Sequence, residues 1–255
     1  MSRALLLAAL LCALAAVGAT EEAPATGEAA AEPVRAAEPA RLAAKGLLIA
    51  LAVAGERLVA VGDRGIIVLS DDRGASWTQA EFVPSQALLT GVCFLDAQHG
   101  VAVGHDEVIL TTADAGRTWK RTHYAPQAQR PLLDVWCGSG GEVIAVGADS
   151  AYFTSADGGA SWRAVKFTPA AAPAARAPAG AAPFDGGAVA IVGLSGVMLV
   201  SRDGGHSFAL LQQADRAGLS AVVAAGDDRL AVVGEGGAKL IGLAPAPGAA
   251  GSRSP

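Results

Sequence analysis

Four carboxylates recur in one octet: Asp72, Asp114, Asp157 and Asp203 each hold the third place of S/T-x-D-x-G-x-x-W/F. The copies read SDDRGASW (70–77), TADAGRTW (112–119), SADGGASW (155–162) and SRDGGHSF (201–208). Evenly spaced aspartates could ligate a metal or serve as acids. The closing aromatics Trp77, Trp119, Trp162 and Phe208 are separated by steps of 42, 43 and 46 residues. Each Asp therefore belongs to its own repeat, and the four are spread around the molecule instead of converging. The octet reads better as a tight connection between two strands. Its Asp accepts backbone N–H groups across the turn. Gly74, Gly116, Gly159 and Gly205 supply a positive φ that a residue with Cβ resists. The aromatic starts the next strand and buries its ring between sheets.

Other residues invite catalytic readings. Asp63, Asp106, Asp149 and Glu235 fall at hairpin turns on one rim, where a two-carboxylate glycosidase is conceivable; turns also favour such residues for purely structural reasons. A sialidase needs an arginine cluster for the substrate carboxylate and a Tyr/Glu nucleophile pair. The chain has two tyrosines, Tyr124 and Tyr152, at different points of the repeat, and no arginine recurs at a matching position. His99, His105, His123 and His206 show no zinc-ligand spacing, so no metal site is expected. Cys93 and Cys137 lie in the inner strands of consecutive repeats. Aligning Val92 with Val135 sets Cys93 level with Trp136 and one place out from Cys137. Side chains alternate along a strand, so the two sulfurs are expected to point apart, as buried free thiols.

The elements that must position these residues are short strands. Leu58-Val59-Ala60-Val61-Gly62, a turn at 63–65 and Ile66-Ile67-Val68-Leu69 read as strand, tight turn, strand. The hairpin recurs around Gly104, Gly147, Gly193 and Gly234. Inner strands are expected at 48–53, 89–94, 132–136 and 219–224, and outer strands after each octet, as at 77–82 and 119–124. Each unit is then a four-stranded antiparallel meander of about 42 residues, the blade of a β-propeller. The fold class is all-β, with about five blades between residues 41 and 244. Closing the ring would remove long exposed edges. Two places break the pattern. An Ala/Pro-rich loop at 168–183 stands where the fourth blade needs its inner strand. The fifth unit has no octet, and residues 245–255 read as a disordered tail.

Residues 1–19 have the form of a signal peptide, with Arg3, an apolar run from Ala4 to Val17 and a cut near Ala19. Cys12 sits within that run, preceded by Leu11 where a lipid-attachment signal needs a small residue. Residues 20–40 read as a disordered Ala/Glu/Pro tether. No second apolar segment of membrane length follows, so the mature chain is expected to be exported to the periplasm without a transmembrane segment. The net charge of −5 carries no basic stripe of the kind nucleic acid requires.

The octet resembles the Asp box of the bacterial neuraminidase repeats. The longer units LLIALAVAGERLVAVGDRGIIVLSDDRGASW (47–77) and LLTGVCFLDAQHGVAVGHDEVILTTADAGRTW (88–119) are similar to the photosystem II assembly/stability factor family, and the resemblance covers residues 47–242. It implies a propeller, usually seven-bladed, that aids assembly or stability of a membrane protein complex. The partner would be photosystem-like, or an exporter of the resistance-nodulation-division type. This reading needs no cofactor and no catalytic residue. The alternative is a glycan-binding or glycan-cleaving, sialidase-like propeller.

In such a fold the turns between second and third strands share a face with the links between blades. That rim is expected to carry Asp63, Arg64, His105, Asp106, Tyr124, Arg130 and Asp149, and loops on a rigid scaffold are where binding residues usually sit. Tyr124 and Arg130 flank the link THYAPQAQRP, which Pro126 and Pro131 stiffen.

Overall fold

The computed structural model describes residues 34–138, 140–165, 178–184, 188–193, 198–202, 208–211, 217–225, 229–235 and 237–242. They form five antiparallel sheets in chain order. Blade 1 holds β1 (Leu48–Ala54), β2 (Arg57–Gly62), β3 (Ile67–Ser70) and β4 (Thr78–Gln79). Blade 2 holds β5 (Leu89–Phe94), β6 (Gly100–Gly104), β7 (Ile109–Thr112) and β8 (Lys120–His123). Blade 3 holds β9 (Leu132–Cys137), β10 (Val143–Gly147), β11 (Tyr152–Ser155) and β12 (Arg163–Ala164). Blade 4 holds β13 (Pro178–Phe184), β14 (Ala188–Gly193), β15 (Met198–Ser201) and β16 (Ala209–Leu210). Blade 5 has three strands, β17 (Leu219–Ala224), β18 (Arg229–Gly234) and β19 (Gly237–Gly242). The all-β propeller read from the repeats is the architecture observed.

The meanders form because their middle strands are short runs of Val, Ile, Leu and Ala, buried on both faces in blades 2 and 3. Along β6 and β10 every residue is buried. Successive sheets pack face to face, and the core is a series of inter-blade layers. Val59, Val61, Ile67 and Leu69 of blade 1 meet Leu89, Val92, Val108 and Leu110 of blade 2. Val101, Val103 and Ile109, on the other face of blade 2, meet Val135, Val143, Ala145 and Phe153 of blade 3.

The glycine that ends each second strand has a precise cause. Its φ is extended, −172° at Gly62 and −173° at Gly104, so the left-handed region is not the reason. A Cβ there would stand 1.9 Å from the Leu47 carbonyl oxygen at Gly62, 2.2 Å from that of Leu88 at Gly104 and 2.0 Å from that of Gly218 at Gly234. The next residue donates its N–H to the same carbonyl: Asp63 to Leu47, His105 to Leu88, Ala148 to Pro131 and Glu235 to Gly218. The backbone just before the inner strand is thus clasped against the turn that follows the second strand.

Three expectations need correction. Pro178–Phe184, placed in the Ala/Pro-rich loop, is the inner strand β13, with Pro183 opposite Val189. An inner strand has a ladder neighbour on one side only, which leaves room for a residue with no N–H; residues 168–177 lie outside the described residues. The last part of the expected tether is fixed along blade 1. Ala37 N–H donates to the Val83 carbonyl, Ala40 N–H to Gln79 Oε1, and Gln86 Nε2 to the Ala36 carbonyl. The third correction is the disulfide between Cys93 and Cys137, whose Cα atoms are 5.7 Å apart. The expected register was sound, since Cys93 pairs with Val101 as Trp136 pairs with Ile144. The error lay in treating β5 and β9 as one pleated sheet. They belong to facing sheets, so the forward face of one blade meets the backward face of the next. Residues of opposite parity are the ones that touch.

The ring is open. The inner strands pack in the order β1, β5, β9, β13, β17, and among the described residues no comparable packing joins β17 to β1. The signal peptide and the tail expected at 245–255 lie outside the described residues.

Candidate functional site

The octets and the rim lie at opposite ends of the strands, because one connects third to fourth strand and the other second to third. In the first octet Asp72 Oδ1 accepts from Ser76 N–H at 2.8 Å and from Ser70 Oγ at 2.8 Å, and Asp72 Oδ2 accepts from Ser76 Oγ at 2.6 Å. Gly74 N–H donates to Ser70 Oγ, and Trp77 Nε1 donates to the Gly74 carbonyl. Thr112, Asp114, Gly116, Thr118 and Trp119 repeat this set in the second copy. Ser155, Asp157, Gly159, Ser161 and Trp162 repeat it in the third. Both carboxylate oxygens are engaged within the loop.

The hydroxyl of Ser76, then its N–H and the hydroxyl of Ser70, hold the Asp72 carboxyl at about 2, below the usual carboxylate range. Ser161 and Ser155 do the same for Asp157, also at about 2. At Asp114 burial pushes upward, and the hydrogen bonds from Thr118 and Thr112 outweigh it, so the carboxyl is lowered. A carboxylate held ionised and fully hydrogen-bonded is a poor general acid. Gly74, Gly116 and Gly159 have φ of 90°, 84° and 88°, as expected, and the residue before each is left-handed too: Arg73, Ala115 and Gly158. Asp203 and Gly205 lie outside the described residues. Phe208 has no ring N–H to donate and instead packs edge-on against Tyr152, with ring centroids 5.6 Å apart.

On the rim of blades 1, 2 and 3 the turn between second and third strands is a single 3-10 turn whose middle residue is left-handed. These residues are Arg64 (φ 53°), Asp106 (φ 60°) and Asp149 (φ 51°). Asp tolerates this region through its short polar side chain. The turn of blade 2 is joined to the link that follows. Ala125 N–H donates to the Asp106 carbonyl, and Glu107 N–H donates to the Arg130 carbonyl. The Glu107 side chain is 3% exposed, with Arg130 Nη2 against its Oε1 and His123 Nε2 at 3.4 Å from its Oε2. The arginine approaches off the axis of a hydrogen bond, leaving Oε1 without a directed donor, so charge holds this pair. The Arg121 guanidinium stacks over the Tyr124 ring, 4.4 Å from its centroid.

The structure therefore brings together His105, Asp106, Tyr124 and Arg130 and adds Arg121, His123 and Glu107, which sequence reasoning missed. An acid in a turn looks like any other turn acid. Only its burial marks Glu107, although the alternation of Arg121 and His123 along β8 was a usable signal. Asp63 is bonded to its own neighbour, accepting Arg64 N–H at 2.9 Å. Asp149 is exposed on blade 3. Tyr152 is 4% exposed in the core between blades 3 and 4 and is not placed as a nucleophile. Among the described residues no three His, Cys, Asp or Glu side chains converge as metal ligands.

The family model described as photosynthesis system II assembly factor YCF48 matches residues 69–177, which span the first three octets. Over that stretch the chain is similar to the photosystem II assembly factor propellers. No curated protein sequence matches it. The structure of YCF48 bound to D1 peptide superposes with a TM-score of 0.59 at 17% identity, covering 76% of this chain and 64% of that one. For YCF48 from Cyanidioschyzon merolae the TM-score is 0.61 at 17% identity, covering 77% of this chain and 67% of that one. The chain thus spans about two thirds of the length of these two structures. The GH74 xyloglucanase from Xanthomonas campestris shares the fold at 16% identity with a TM-score of 0.55, over 77% of this chain and 38% of that one.

Proposed function

We propose that this protein is a non-catalytic scaffold, exported to the periplasm, that holds a segment of a membrane protein against the blade 2 rim during assembly of its complex. One observation carries the reading. The link 124–131 is bonded to the turn His105–Glu107 at both ends, so Tyr124, Arg121, His105 and Asp106 form a patch that is set before any partner arrives. A pre-set loop loses less entropy on docking, and an aromatic beside arginine is the composition of an interface anchor. That a YCF48 has been seen with a D1 peptide supports a membrane-protein segment as the class of partner.

Arg130 also supports Glu107, so Tyr124 is the cleaner probe. Mature protein immobilised on beads should retain an identifiable integral membrane protein from a detergent extract of its own cells. Tyr124→Ala with Arg121→Ala should cut that retention at least tenfold at an unchanged melting temperature. Retention equal to wild type would remove this patch from the binding surface. Steady hydrolysis of reporter glycosides, abolished by Asp106→Asn or Asp149→Asn, would replace the scaffold with the glycan-cleaving reading.

A further inference from the structure

The open arc ends in two bare apolar faces. On blade 1 the segment 36–46 covers the outer half of the free face, where Ala43 packs with Ala60 and Val68. The inner strand is left uncovered: Ile49, Leu51 and Val53 are 47%, 58% and 59% exposed. A shallow cleft of about 280 Å³ between Leu48, Leu51, Ala60 and Trp77 continues this face outward. On blade 5, Val223 and Val233 are 59% and 45% exposed, with Ala221 and Ala238 exposed beside them. None of these residues is charged.

Register shows what these positions are for. Leu51 pairs with Ala60 and Val53 with Leu58, as Val135 pairs with Ala145 and Cys137 with Val143. Leu51 and Val53 therefore occupy the places that blade 3 turns toward blade 2. Val223 pairs with Ala231 and Val233 with Ala221, as Cys93 pairs with Val101 and Val103 with Gly91. Val223 and Val233 occupy the places that blade 2 turns toward blade 3, where Val101 and Val103 are completely buried. The two end faces are the two halves of a junction that the chain makes between each pair of successive blades.

We propose that the blade 5 face of one copy seats on the blade 1 face of a second copy, head to tail. A second copy is the occupant because it alone is certain to present the matching half, in the same repeat and the same register. An unlike partner would have to supply a blade of its own. Such a contact is heterologous and leaves a free face at each end, so it extends to further copies. The inference does not depend on the docking rim, which lies on another face of the molecule.

The internal disulfide supplies the test. Val223 stands at the Cys93 position and Val53 at the Cys137 position, so the junction should bring them to disulfide distance. Val53→Cys and Val223→Cys chains, mixed and oxidised, should give a covalent dimer at least ten times faster than either variant alone. The wild-type chain should gain average mass in sedimentation as concentration rises through roughly 1–100 µM, and Leu51→Asp should weaken that gain at least tenfold with its circular dichroism unchanged. Equal cross-linking within each single variant would mean like faces meet and would overturn the proposal. So would a Val53→Cys/Val223→Cys chain that closes on itself as a monomer, or a wild-type chain that stays monomeric throughout.

Discussion

At the residue scale, the Asp-box carboxylates act on stability. Asp114 is partly buried and accepts from both the N–H and the hydroxyl of Thr118. Asp114→Ala should cost about 1–2 kcal/mol in urea unfolding, the lower part of the range for an orphaned donor because water reaches the loop. The same network predicts acid sensitivity. Asp72 and Asp157 are held at about 2 in the folded chain against an ordinary value of about 3.9 when unfolded. Their contribution is complete above pH ~4 and is lost as pH falls toward ~2. The melting temperature should hardly change from pH 7 to 5 on their account and should drop between pH 4 and 2. A melting temperature flat down to pH 2 would contradict the hydrogen-bond assignment. The octets were legible in the sequence because Ser/Thr, Asp, Gly and the aromatic each have one local partner. The second left-handed residue was not, since Arg73 and Ala115 carry no compositional mark of a positive φ.

At the scale of the element, strand positions could be read almost residue by residue, and their mutual facing could not. Periodicity reports which residues alternate within one strand; it does not say that neighbouring blades meet through opposite faces. That missing relation separated Cys93 from Cys137 in the sequence reading. The bond closes a loop of 44 residues' separation, and its loss by Cys93→Ala with Cys137→Ala should cost about 2–4 kcal/mol by loop entropy. The expected readout is a lower denaturation midpoint with the wild-type slope. The second-strand glycine gives the sharper contrast. Gly104→Ala drives a Cβ into the Leu88 carbonyl and should cost about 3 kcal/mol or more. At Gly242 a Cβ meets nothing, and Gly242→Ala should stay within about 0.5 kcal/mol.

For the whole molecule, the five sheets of the described residues were legible in the repeats and the lack of packing between the last and the first was not, because closure depends on how far the blades turn. An open arc gives its first and last blades one neighbour each, so stability should fall toward both ends, as in repeat proteins. Amide hydrogen exchange should be slowest in β6 and β10 and at least tenfold faster in β2 and β18. Uniform protection across the five second strands would argue for a closed ring.

The clasp at each second-strand glycine has a consequence for lineage. In blades 1, 2, 3 and 5 the entry is fastened to the blade's own turn, and that fastening borrows no atom from the blade beside it. A unit of about 42 residues can therefore be copied or dropped with that fastening intact. Blade count becomes a matter of gene arithmetic more than of geometry.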